Sequence, residues 1–148
     1  MADSVRAGRY RAILVPTDGS RGAMRAVERA LDIGRQSDAT IHVMHVIDER
    51  SRAETPALSS EELVLEKLGR VADETIERVA AEAERAGLPA VRHSCRGVPH
   101  ERIREYAERN DVDLIVMGVH GVGREGRPHM GSTTARVRET STVPVLPV

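Results

Sequence analysis

Four short apolar runs and one alternating run, separated by stretches of helical spacing, constrain this chain more than any other feature. RAILVP (11–16), TIHVMHVI (40–47), DLIVMG (113–118) and VPVLPV (143–148) are nearly continuous in apolar and β-branched residues. Such runs suit strands buried on both faces. AVRHSC (90–95) alternates instead, with Val91, His93 and Cys95 on one side, as on a strand nearer a sheet edge. After TDGS, Ala23, Ala26, Val27, Ala30 and Leu31 recur at three- and four-residue steps, and Ser20 stands where an N-cap belongs. Residues 48–59 read as a loop. Ser59 and Glu62 then form a capping box opening a helix through Leu63, Leu68, Val71, Ala72, Val79 and Ala83, with Gly87 as its stop. Pro99 suits the first turn of a helix reaching about Asn110, and a short helix is expected from about Ser132 to Glu139. The order βαβαβαβαβ in 148 residues predicts a single α/β domain. Its expected architecture is a doubly wound, mostly parallel five-stranded sheet, order 3-2-1-4-5, with helices on both faces.

A sheet of that order binds ligands beyond the carboxyl ends of its strands, where the order reverses between strands 1 and 4. The loops that follow those strands are PTDGS and GVHGVGREGRPHMGS, both rich in glycine, proline and short polar residues. A fifteen-residue loop is longer than a simple turn requires.

Two phosphate-binding patterns overlap in the longer loop. Gly121-Val122-Gly123-Arg124-Glu125-Gly126 spells G-x-G-x-x-G. That fingerprint should follow the first strand, lead directly into a helix and meet an acid about 20 residues later. Here Arg127 and Pro128 follow it and the chain ends in VPVLPV, so the match is coincidental. A Walker loop needs Gly-Lys-Ser/Thr, and the single lysine is Lys67, far off in a helix. The second pattern is Gly118-x-x-Gly121, nine residues, then Gly131-Ser132. It lets the backbone approach a phosphate chain and ends at a helix N-terminus whose free N–H groups favour an anion, with Arg124 or Arg127 adding charge. A purely structural turn is the competing reading of that spacing. Asp18 is likewise either a ligand contact or a helix-entry cap.

Composition removes other classes. A net charge of −1 and a pI near 6.6 give no global field for nucleic acid or anionic lipid. Phe and Trp are absent and Tyr occurs twice, which argues against base stacking on aromatic side chains. The lone Cys95 forms no internal disulfide and suits a reducing, cytoplasmic setting as a small apolar residue. The N-terminus lacks the apolar segment of a signal peptide and no run approaches a membrane span. His42 and His45 fall on opposite faces of one strand, and the remaining histidines show no metal-ligand spacing; His120 is better placed to line a pocket.

These motifs together resemble the universal stress protein (UspA-type) family, over about residues 9–146. The resemblance rests on the G-2x-G-9x-G-[S/T] spacing, ILVPTDGS on strand 1, HVID closing strand 2, RGVPHERI before the third helix, DVDLIVMGVHG, and the final VPVL. It implies the ATP-binding branch and a homodimer paired through the last strand. On this chain Pro16, Thr17 and Asp18 would line the nucleoside side, with Asp18 near a ribose or bound magnesium. Val46 would offer its backbone to adenine. Met117, Gly118, Val119, His120, Gly121, Val122, Gly123, Arg124, Gly131, Ser132, Thr133 and Thr134 would surround the phosphates of ATP, ADP or AMP. The implied role is a stress-response regulator or switch with no nucleic-acid or membrane partner. At most slow ATP hydrolysis is expected, since Asp18 and His120 belong to no recognisable catalytic set. Two departures stand out. GREGRPHM replaces the usual apolar residues before Gly-Ser, which keeps a non-binding dimeric interaction module open as the alternative. Pro147 removes a ladder donor from the strand expected to pair.

Overall fold

The first apolar run folds as β1 (Ala12–Pro16) and leads into α1 (Arg21–Ser37). The computed structural model describes residues 10–48, 61–119 and 131–148. The later elements are β2 (Thr40–Asp48), α2 (Glu61–Arg85), β3 (Ala90–Gly97), α3 (Pro99–Arg109), β4 (Leu114–Met117), α4 (Ser132–Thr140) and β5 (Val145–Pro147). The strands form one parallel sheet in the order β3-β2-β1-β4-β5, as the alternation of elements predicts. The order reverses between β1 and β4, and that seam has the shortest ladder, Ile13 opposite Leu114 and Leu14 opposite Ile115.

Period-two alternation sorts the strand residues between two helical layers. Ile13, Val15, Ile41, Val43, Leu114 and Val116 face one layer, packing on Val27 and Leu31 of α1 and on Ile76 and Val79 of α2. Leu14, Met44, Ile115 and Met117 face the other, against Ile103 and Tyr106 of α3 and Val137 of α4. Ser20 caps α1, its Oγ accepting the Ala23 N–H at 3.2 Å. Gly87, at φ +82°, terminates α2, and the Leu88 N–H donates back to the Ala83 carbonyl. Pro99 takes the first turn of α3, and Asn110 ends it.

The buried stripe of α2 differs from the expected one. Ala72, Ile76, Val79, Ala80 and Ala83 face the sheet, while Leu63 is 64% and Val71 47% exposed. At about 100° per residue, Leu63 lies half a revolution from Ala72 and Val71 one step off the stripe. The capping-box serine, Ser59, lies outside the described residues, as does the loop from 49 onward. Among the described residues no helix is long and apolar enough to cross a membrane.

Pro147 falls on a neutral position for the sheet itself. Ile115 N–H donates to Pro144, Val148 N–H donates to Met117, and Val119 N–H donates to Val148. Even-numbered residues of β5 therefore face β4, and the donor that Pro147 lacks faces the open edge.

Between β2 and α3, Tyr106 hydroxyl and His42 Nδ1 share a 2.7 Å hydrogen bond, and the His93 ring packs on the Tyr106 ring at 4.7 Å. Burial holds the pKa of His42 and of His93 below the ordinary 6.5, with nearby Arg109 adding to the effect at His93. Burial thus favours the neutral rings, so the unfolded chain binds more protons as pH falls through that value and stability falls with it. The expected melting temperature is level well above pH 6.5 and drops as pH falls through it. His42→Gln should reduce that drop; an unchanged pH profile in thermal melts of the variant would assign the acid sensitivity elsewhere.

Candidate functional site

Beyond the carboxyl ends of the strands lies a cavity of about 450 Å³. Its floor and one side are Pro16, Thr17 and Asp18 from the end of β1, with Ser20 and Ala23 from the start of α1. Met44, Val46 and Asp48 of β2 line the next wall, facing Pro99 and Ile103 of α3. Met117 and Gly118, with Gly131, Ser132, Thr133 and Thr134, complete it on the α4 side. Because every helix here returns from a strand of a parallel sheet, the first turns of α1, α3 and α4 all open at this end. Their dipoles make it favourable for negative charge.

The turn between β1 and α1 is held by its own short side chains. Thr17 is buried; its N–H donates to the Met44 carbonyl at 2.8 Å, and its Oγ1 accepts the Gly19 N–H. Asp18 Oδ1 accepts the Ser20 N–H at 2.9 Å. Asp18 thus braces the turn before the Ser20 cap and lines the cavity. Its charge also reaches His45 on the opposite face of β2, opposing the burial that lowers that imidazole's pKa. His45 Nδ1 is buried with no hydrogen-bond partner among the described residues.

The β2 wall arises because β1 leaves the sheet first. The ladder between them ends with Pro16 opposite Met44 and the Thr17 N–H on the Met44 carbonyl. Thr40 and Met44 both bond toward β1, whereas Ile41 bonds toward the β3 side. Even-numbered residues of β2 thus turn their peptide groups to the β1 side. At Val46 the strand presents an amide N–H and a carbonyl oxygen with no β1 residue opposite them.

On the other side, α4 begins at Ser132 with Gly131 as N-cap and no side-chain capping bond. Ala135 N–H reaches the Gly131 carbonyl, which leaves the N–H groups of the first turn available at the cavity. Thr134 is buried, and its Oγ1 donates to the Gly118 carbonyl at 2.8 Å.

Gly118 has a packing reason for being glycine, beside the approach to a phosphate that its spacing suggests. A Cβ there would stand 2.7 Å from both C and O of Gly22 and 3.1 Å from the Ala23 nitrogen. The end of β4 and the first turn of α1 pack backbone on backbone.

Of the residues singled out in the sequence, Pro16, Thr17, Asp18, Val46, Met117, Gly118, Gly131, Ser132, Thr133 and Thr134 are brought together in this cavity. Val119 is not among its lining residues; its N–H donates to Val148 and its carbonyl accepts from Gly131. His120, Gly121, Val122, Gly123 and Arg124 lie outside the described residues. Sequence reasoning missed Ser20, Ala23, Met44, Asp48, Pro99 and Ile103 as cavity residues. Met44 and Asp48 were within reach, since both share the face of Val46 by alternation. Pro99 and Ile103 depend on where α3 crosses the sheet, which no local pattern reports. Among the described residues no group of three His, Cys, Asp or Glu side chains gathers as a metal site.

Comparison with known proteins agrees with this architecture. The model of the universal stress protein family matches residues 9–148. This chain belongs to the universal stress protein family. Universal stress protein MJ0531 of Methanocaldococcus jannaschii is 35% identical over 139 residues, covering 94% of this chain and 82% of that protein. The solved structure of MJ0577 from the same organism superposes with a TM-score of 0.82 at 33% identity, covering 94% of this chain and 95% of the other. A structure of the universal stress protein from Archaeoglobus fulgidus in complex with dAMP has a TM-score of 0.64 at 21% identity, covering 93% and 97%. That likeness carries the fold alone.

Two glycines of the site should respond oppositely to substitution. Gly118→Ala, forced against the α1 backbone, is expected to lose about 1–3 kcal/mol or more in urea unfolding. Gly131 is extended at φ −60° and ψ 148°, and a Cβ there would meet nothing within 4 Å. Gly131→Ser should therefore stay within about 0.5 kcal/mol of the parent, because serine caps a helix at least as well as glycine. Equal losses in both would refute the packing account of Gly118.

Proposed function

We propose that this protein binds an adenine nucleotide (ATP, ADP or AMP, with Mg²⁺ beside the longer phosphate chains) and that occupancy biases its contacts with itself or a partner protein, as a stress-response switch. One observation carries the reading. The cavity joins a mostly apolar wall, along which Val46 offers a donor and an acceptor side by side, to an α4 N-terminus without a side-chain cap. The ligand that complements it is flat and apolar with a hydrogen-bonding edge at one end and anionic at the other. A purine nucleotide is such a molecule. The A. fulgidus protein of this fold was solved with dAMP, which is consistent with the reading.

In this proposal Met44, Val46 and Ile103 enclose the base and Thr17 and Asp18 stand near the ribose. Gly131, Ser132, Thr133 and Thr134 meet the phosphates. His120, Gly121, Val122, Gly123 and Arg124 join them on the strength of their spacing. The second oxygen of Asp18, unlike the first, has no hydrogen-bond donor among the described residues. It is the carboxylate oxygen available to a ribose hydroxyl or to a magnesium ion completed by phosphate oxygens and water. Residues within this cavity bind and orient; none forms a recognisable set for activating water, so regulation is favoured over turnover.

The test is mass spectrometry of nucleotides released from freshly purified protein, followed by calorimetric titration with ATP and Mg²⁺. Ser132→Pro removes one first-turn N–H at a position where proline is well accommodated, after a residue already extended. Affinity should fall about tenfold or more, the worth of a hydrogen bond to a charged group (about 1.5–3 kcal/mol), with little change in melting temperature. Neither retained nucleotide nor saturable binding would leave a dimeric interaction module.

Homodimer pairing through β5 belongs to the same proposal. The peptide groups of Val145 and the carbonyl of Pro147 face the open edge, and Pro147 supplies no donor there. Pro147→Val restores that donor without touching the β4 ladder. Sedimentation velocity should show tighter self-association for the variant; unchanged association would place the dimer interface elsewhere.

A further inference from the structure

Among the described residues Asp48 is the one polar side chain on the β2–α3 wall, in company otherwise with Met44, Val46, Pro99 and Ile103. Its side chain shares their side of the sheet because Met44, Val46 and Asp48 alternate along β2. Resting on the nucleotide reading above, we infer that Asp48 sets base specificity, selecting adenine over hypoxanthine by accepting from an exocyclic amino group.

Strand polarity carries the argument. Chain direction puts the Val46 carbonyl on the Asp48 side of the Val46 amide. A base that accepts from the amide at N1 and donates from its 6-amino group to the carbonyl therefore extends that amino group toward Asp48. An exocyclic amino group has a second N–H, and a carboxylate acceptor lies on the side to which it points. A 6-oxopurine in this pose opposes every partner. Its N1–H meets an N–H, and its O6 lone pairs meet the carbonyl and the carboxylate. Turned over, hypoxanthine satisfies the Val46 pair through O6 and N1–H, and then offers Asp48 only the C2–H. The strand's peptide group alone thus accepts either purine, while the pairing of that group with Asp48 does not. The expected discrimination is that of a hydrogen bond to a charged group, about tenfold or more.

Calorimetric titration of the full chain with AMP, IMP and GMP tests this. The parent protein should bind AMP at least about tenfold more tightly than IMP. Asp48→Asn, whose amide offers an acceptor or a donor equally well, should bring that ratio close to unity, and Asp48→Glu should keep a preference for AMP. A merely structural Asp48 would weaken both nucleotides together and leave the ratio intact, which overturns the inference. Equal binding of AMP and IMP by the parent protein also overturns it, whether or not the variants fold. GMP, whose 2-amino group faces Asp48 in the turned-over pose, should likewise bind more tightly than IMP, and a GMP affinity no better than that of IMP overturns the inference. In each of these cases nucleotide binding itself stands; failure to bind any of the three removes the nucleotide reading and the specificity with it.

Discussion

Gly118 and Gly22 meet backbone to backbone, and much of the site follows from that approach. It brings the N-terminus of α1 against the end of β4, so that Ser20 and Ala23 share a cavity with Gly118. From the other side Thr134 donates to the Gly118 carbonyl, tying the first turn of α4 to the same point. A side chain at Gly118 would push the end of β4 and the first turn of α1 apart. That displacement would also disturb the Thr134–Gly118 hydrogen bond made at the same point.

The opposite end of the same seam is held by a side chain. Asp113 Oδ2 accepts the N–H groups of Arg11 at 2.7 Å and Ala12 at 3.0 Å, and the Asp113 N–H donates to the Ala12 carbonyl. The two strands share just two register pairs, so the clamps at either end do what a longer ladder does elsewhere in the sheet. Between them the strands are free to diverge early. β1 departs after Pro16, β2 continues to Asp48, and the peptide group of Val46 is left facing the gap.

Much of this was legible in the sequence because it depends on local rules. Continuous apolar runs marked the strands, Ser20 and Gly87 marked helix ends, and their alternation pointed to a doubly wound parallel sheet, whose expected order 3-2-1-4-5 puts the crevice between β1 and β4. The resemblance then located Val46, whose own side chain says nothing of binding. What the sequence hid was tertiary. The requirement for glycine at position 118 comes from a neighbour ninety-six residues away in the chain, and a phosphate pattern happened to predict the same residue for another reason. Leu63 and Val71 look like core residues until the phase of α2 against the sheet is known. Pro99 and Ile103 reach the cavity through the crossing of α3, which sequence spacing leaves undetermined.

In the proposed mode of binding, recognition leans on the main chain: the Val46 peptide group beyond the end of the β1 ladder, and helix N-terminal amides on the α4 side. Main-chain groups cannot be exchanged by substitution, so they set which class of ligand fits but discriminate weakly within it. Side chains must supply the finer choice. Thr17, Ser20 and Thr134 already hold bonds that shape the turns and helix ends. Asp18 has given one oxygen to the Ser20 N–H. The two carboxylates that line the cavity are Asp18, where the crevice opens, and Asp48, farther along β2. The two hang on different strands, one ending early and the other running on. The seam that fixes where β1 leaves the sheet therefore also fixes how far apart the two carboxylates stand.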